Sequence, residues 1–323
     1  FRSGGYGAIS GIQLRGLPKR YSTVYIDGVK MSDPSSSDNS FYFSNIMNSS
    51  IKNVEVLRGS QSSMYGSGAI GGAINIYTKD GEDKNLNKFI ISGGSNSAKN
   101  IDVSYGEAYN NYSYYLGLNL FHTDGISAMN DEVSTNDDDS YENKSIISKY
   151  KYSFNDNFSF KGNLRYSNSF LNYDEVTQGR TDDNNSTDDD ELSYSLKLIS
   201  DFGKHKNTFL YNYTNIERAT KTYTNASKNY YGYRDSLNLI GEYNFNLDNK
   251  LLYGLDHEFD EAEFQKDWPT DYLKSDEANK KIKIYTEQMP DKTSTFQVIG
   301  LDSKTHTIDC WYKETVQNPY FSN

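Results

Sequence analysis

"RGSQSSMYGSGAIGGAINIYTK", residues 58–79, sets Gly59, Gly66, Gly68, Gly71 and Gly72 between two β-like runs. Residues 66–71 are a literal GxGxxG. In a dinucleotide site those glycines open directly into a helix, whose N-terminus holds the pyrophosphate. Here they run into "GAINIYTK", where Ile74, Ile76, Tyr77 and Thr78 have strand propensity. No acidic residue stands where the ribose-binding carboxylate belongs, and no GK[ST] completes a P-loop. The other reading is steric: glycine at this density permits positive φ and close backbone approach, as in a small domain packed inside a surrounding wall.

The composition restricts the function classes. Only 35% of the 323 residues are hydrophobic, yet 29 are Tyr and 16 Phe, a bias that suits many short strands better than a helical core. No run approaches the roughly 18 apolar residues of a transmembrane helix. That leaves membrane β-barrels open, because their strands alternate and look hydrophilic on average. A net charge of -11 offers no basic stripe for phosphates, so nucleic acid is not an expected partner. Cys310 is the lone cysteine, and His122, His205, His257 and His306 are scattered. His257-Glu258 begins like a zinc-protease motif, but Glu261 stands where the second His belongs, and GxSxG is absent. No enzyme is expected. The chain opens at Phe1 without an initiator Met, so it reads as starting within a longer protein.

Two textures divide the chain. Residues 1–84 are rich in Gly and Ser; from about 88 a period-two rhythm takes over. In "FSFKGNLRYSNSF" (158–170), Phe158, Phe160, Leu164, Tyr166 and Phe170 share one face, and Lys161, Asn163, Arg165, Ser167 and Ser169 the other. "NYSYYLGLNLF" (111–121), "ELSYSLKL" (191–198) and "DSLNLIGEYNF" (235–245) repeat it. About nine such runs, most of roughly 9 to 13 residues, have the length that crosses a bilayer at a tilt. Short turns at 155–157, 203–206 and 246–249 alternate with long acidic loops at 124–140, 171–190 and 219–232, the rim pattern of an outer-membrane barrel. A soluble β-sandwich is the competing arrangement; it requires the apolar faces to point into a core. Their tyrosines suit interfacial aromatic girdles and favour the barrel. After residue 266 the rhythm fails, so 267–323 reads as an uncertain tail or a long extracellular loop. The expected fold is therefore an all-β-dominated membrane protein: a small α+β domain over 1–84, then antiparallel transmembrane strands over 85–266 that form an incomplete barrel.

"IQLRG" (12–16), "YSTVYIDGVKM" (21–31) and "IKNVEVLRGSQSSMYGSGAIGGAINIYTK" (51–79), in that order, resemble the plug domain of TonB-dependent outer-membrane receptors. Within that family "SGGYGAISGIQLRG" and "ISGGSNSAKNIDVSYGEAYNNYSYYLGLNLFHTDG" are most similar to the cobalamin receptors. The resemblance implies a plug inside a roughly 22-strand barrel, of which this chain supplies fewer than half the strands. It also implies a cell outer-membrane location among lipid, and a TonB energy-coupling complex acting through an N-terminal segment absent here. The cargo it implies is a corrinoid, held between plug apices and barrel loops without any bond being made or broken. A ferric siderophore or haem is the alternative ligand within the family. A non-transporting barrel adhesin is more remote, since a passive barrel has no use for a plug.

By position in the resemblance, Tyr6, Ser10, Ser35, Asp38 and Tyr42 are candidate substrate contacts. Arg15 and Arg58, near Glu55 and Asp27, are expected to lock the plug by buried pairing. Gly28, Gly59, Tyr65, Gly66, Gly71 and Gly72 are expected to shape the plug. No cofactor is required for chemistry, but Ca²⁺, which takes 6 to 8 oxygens, could be held in the extracellular loops by Asp137, Asp138, Asp139, Asp182 and Asp183.

Overall fold

The computed structural model describes residues 4–36, 41–46, 48–60, 65, 68–127, 138–174, 185–221, 227–245, 249–267, 294–299 and 305–310. The glycine-rich part forms a four-stranded sheet of β1 (Ser22–Ile26), β2 (Val29–Lys30), β3 (Ile51–Arg58) and β4 (Gly72–Thr78), in the order β2-β1-β4-β3. Asp27 and Gly28 join β1 to β2 with φ of 53° and 91°. Both values are positive, as a tight primed hairpin turn requires. Val24, Ile26, Val29, Met31, Ile74 and Ile76 form the core, closed by Leu14 and Phe41.

The opening stretch enters strand β4 rather than a helix. Gly72 begins that strand at φ 149°, and a Cβ there would lie 2.2 Å from the Leu57 carbonyl oxygen. The Gly59 amide donates to the Gly71 carbonyl at 3.1 Å, and the Gly71 amide to that of Tyr21 at 2.8 Å, so these glycines let three chain segments touch through their backbones. Phe43–Asn45 and Asn48–Ser50 form short 3-10 turns ahead of β3.

The second sheet contains β5 (Lys88–Gly93), β6 (Lys99–Ala108), β7 (Tyr112–Thr123), β8 (Tyr141–Ser153), β9 (Phe158–Tyr173), β10 (Asn185–Asp201), β11 (His205–Lys221), β12 (Ser227–Asn244) and β13 (Lys250–Asp267). Each pairs antiparallel with its sequence neighbour, and β5 and β13 are the two edges of an open wall. Its faces are inverted relative to a soluble protein. Leu116, Leu118 and Leu120 are 39–49% exposed, while Ser113 and Asn119 are 4% exposed. Ser167, Ser193, Ser195, Asn212 and Thr214 are likewise buried on the plug side. An apolar outer face over a polar inner one is what lipid outside and a polar lumen inside demand, and it excludes the sandwich.

Two loop boundaries need correction. The strands β9–β13 run 16 to 18 residues, longer than the periodicity indicated. Much of the acidic stretch assigned to loop 171–190 is strand, as are both ends of 219–232. Above the bilayer both faces of a strand meet polar surroundings, so the apolar alternation stops although the ladder of hydrogen bonds continues. Farther along, β14 (Ser294–Ile299) and β15 (Thr305–Cys310) pair as a hairpin.

Candidate functional site

The plug meets the wall through polar contacts stacked from one rim to the other. Near the short-turn rim the Lys149 ammonium of β8 reaches Asp27 at 2.7 Å and the Thr78 carbonyl at 2.8 Å. Asp27 also accepts from the Thr78 amide and hydroxyl, so one carboxylate ties the β1–β2 turn, β4 and the wall together. Lys30 pairs with Glu258 of β13 at 2.6 Å.

Midway, the Arg234 guanidinium is 2% exposed. It forks onto Asp260, its direct neighbour on β13, at 2.6 Å through both Nε and Nη2, and turns Nη1 to the Ser32 carbonyl at 2.8 Å and its hydroxyl at 2.7 Å. Arg218 lies between Asp33 of the plug at 2.9 Å and Asp189 of β10 at 2.7 Å. Asp33 is 2% exposed and also accepts from the Ser35 amide and hydroxyl. Arg165 pairs with Glu191 at 2.5 Å and donates to the Asn45 carbonyl. The Tyr141 hydroxyl donates to the Ser44 carbonyl at 3.1 Å. In the plug itself, burial and then the Glu258 and Asp256 carboxylates push the Tyr25 phenol above its usual range. Buried charges persist only when paired and hydrogen-bonded, and here each wall cation named, Lys149, Arg165, Arg218 and Arg234, also reaches a carboxylate, hydroxyl or carbonyl of the plug. An interface of this kind holds the plug firmly yet separates into water without exposing an apolar core.

Toward the long-loop rim, Tyr6 is 53% exposed, with its ring 5.0 Å from that of Phe121. Phe121 in turn faces Tyr141 at 6.1 Å. The Tyr42 ring lies under Lys19 at 4.2 Å and Arg218 at 5.3 Å. The Ser10 carbonyl accepts from the Phe43 amide, binding the two apical segments to each other. The Ser35 hydroxyl proton is committed to Asp33. Asp38 lies outside the described residues.

The expected plug locks differ. Arg15 and Arg58 are exposed, and neither makes an ion pair among the described residues. Asp27 turns to Lys149, while Glu55 accepts from Asn75 and Tyr77 on the neighbouring strand. Tyr65 accepts from Asn75 and packs edge-on to Tyr25. Apart from Lys30, the locking cations instead come from the wall. Their signal was present in the sequence: Lys149, Arg165, Arg218 and Arg234 interrupt the small polar residues on inward strand faces.

Asp138 and Asp139 precede β8, and the Ser140 amide donates to the Asp138 carbonyl. Asp137, Asp182, Asp183 and Gly66 lie outside the described residues. The following aspartates, Asp188, Asp189 and Asp190, are strand residues: Asp188 and Asp190 accept from Asn168, and Asp190 also from Tyr166. Among the described residues no group of three or more His, Cys, Asp or Glu could hold a metal.

Comparison with known proteins agrees with this architecture. Residues 1–73 match the TonB-dependent Receptor Plug Domain. Over 174 residues the chain is 29% identical to the vitamin B12 transporter BtuB of Vibrio vulnificus, and equally to that of Photobacterium profundum. Each match takes in 54% of this chain and 28% of the relative, so the chain matches well under two thirds of those proteins' length. The ferric yersiniabactin uptake receptor FyuA of Yersinia pestis superposes with a TM-score of 0.65 at 14% identity, over 82% of this chain and 44% of that one. The FrpB iron transporter of Neisseria meningitidis gives 0.65 at 16%, over 85% and 46%. These two likenesses establish the fold. Residues 1–73 thus match the plug domain of TonB-dependent receptors, and the glycine-closed plug sheet beside a wall that is polar inside and apolar outside has the fold of the solved outer-membrane receptors.

Proposed function

We propose that the protein acts in TonB-dependent uptake of a corrinoid across the outer membrane. The 29% identity to two vitamin B12 transporters over 174 residues carries the choice of ligand. The solved iron receptors share the fold at 14–16% identity and do not bear on the cargo. The ligand rests on the Tyr6 and Tyr42 side of the plug, and TonB remodels the plug from the opposite rim. No bond in the cargo is broken. The hydrogen-bonded, charge-paired plug contacts support such gating, since water can replace each of them in turn. Calcium at Asp137, Asp138, Asp139, Asp182 and Asp183 belongs to the same proposal, and rests on the resemblance.

The test is cyanocobalamin binding to the full-length receptor in detergent, with Ca²⁺ and then with chelator. Saturable binding is expected, and loss on chelation assigns the aspartates to calcium. Binding that survives chelation returns them to solvent. No binding in either condition, with a ferric siderophore bound instead, overturns the corrinoid assignment.

A further inference from the structure

A cavity of about 630 Å³ lies between the plug and the short-turn end of the wall. Four wall lysines line it: Lys149 and Lys151 on β8, Lys161 on β9 and Lys197 on β10. Lys151 stands directly opposite Lys161, and Lys161 directly opposite Lys197, so one row of the sheet carries three ammonium groups side by side. Like charges in directly opposed positions are destabilising. Two of the four lysines are neutralised by the plug, Lys149 by Asp27 and Lys151 by Glu82. Lys161 and Lys197 have no ion pair or hydrogen bond among the described residues, although both line a half-enclosed space.

The cavity's other charges do not fill that need. Lys30 pairs with Glu258, and Lys52 with Asp83 and, at 3.8 Å, Asp80. Asp256 accepts from Asn238 on β13's neighbour, and β13 is three strands from β10. At about 4.8 Å per strand that is roughly 14 Å, too far to pair with Lys197. The Asp27 carboxylate also acts on Lys197, but it is already paired with Lys149. Two adjacent ammonium groups without an ion pair of their own therefore face a cavity large enough for a hydrated tetrahedral ion. Lysine binds phosphate as a point charge, and two such charges match a dianion.

We propose that Lys161 and Lys197 form an anion site for a phosphate-class dianion between plug and wall, whatever cargo the receptor imports. Lys151 and Lys149 flank the site, and the plug turn at Asp27-Gly28 roofs it: a Cβ on Gly28 would lie 3.9 Å from the Lys197 ammonium nitrogen. Bound phosphate relieves the repulsion along the row and links plug turn to wall.

The test is calorimetric titration of the full-length receptor in detergent with inorganic phosphate, comparing wild type, K161Q/K197Q and K204Q, whose exposed lysine is on the β10–β11 turn. Saturable binding is expected, weakened by roughly tenfold or more in K161Q/K197Q, as loss of charge-assisted contacts implies, and unchanged in K204Q. Independently, in the wild-type protein phosphate is expected to protect Lys161 and Lys197 from acylation, read by peptide mass spectrometry, and to leave Lys204 reactive. Absence of saturable binding, equal affinity in K161Q/K197Q, or unprotected Lys161 and Lys197 overturns the proposal.

Discussion

Replacing Arg218 by Met tests the idea that wall cations hold the plug. The substitution keeps an unbranched apolar stem but removes the guanidinium, leaving Asp33 and Asp189 facing each other with side chains only 3% and 21% exposed. Removing one partner of a buried ion pair costs about 3–5 kcal/mol. Taking the lower end, because Asp189 retains some solvent, about 3 kcal/mol corresponds to roughly 150-fold in a local opening equilibrium. D33N is milder. The carboxamide it introduces still accepts from the Ser35 amide, and Arg218 keeps Asp189, so the loss is about 1.4 kcal/mol, near tenfold. Hydrogen exchange of the detergent-solubilised receptor reads both changes. The amides of Val24, Ile74 and Ile76 in the plug sheet report opening, and those of Leu118 and Leu196 in the wall serve as internal reference. Faster exchange confined to the plug, in the order R218M above D33N above wild type, is the expected result. Equal acceleration in the wall, or R218M no faster than D33N, would refute the reasoning.

Three further outcomes are expected. G72A places a methyl against the Leu57 carbonyl and should abolish folding of the plug, whereas G16A, at φ 75° with open space around it, should cost only about 1 kcal/mol; thermal melts compare the two. Asp83 is raised by burial, but its hydrogen bonds from Lys52 and the Asp80 amide win and leave it below its usual value. Its contribution to stability is thus present above the unfolded pKa and lost as acid takes the pH down through the folded one; in K52M, carboxyl NMR should show Asp83 titrating at higher pH. L118R puts a charge on the outward face mid-strand and should reduce insertion into lipid vesicles by about 2–4 kcal/mol, while N119S on the inner face should insert normally.

The wall is legible because its two faces meet different media: Tyr112, Leu116 and Leu118 alternate with Ser113 and Asn119 wherever lipid lies outside. It becomes illegible at Asp188, Asp189 and Asp190, where lipid ends and only cross-strand neighbours such as Asn168 and Arg218 show that a strand persists. The plug's glycines announce close backbone approach, and Gly72 shows it. Arg15 and Arg58 fail as locks because sequence proximity to acids says nothing about which side chains become covered, and both stay exposed. Their counterparts on the wall are more than 60 residues away in the chain and meet the plug only after the sheet has formed.

Several plug contacts end on main-chain oxygens: Arg234 on Ser32, Arg165 on Asn45, Tyr141 on Ser44 and Lys149 on Thr78. A carbonyl is present whatever side chain its residue bears. Attachment through the backbone therefore leaves the apical positions free to change identity, so that one scaffold can be re-tooled for a new solute by substitutions in its loops while the plug stays seated.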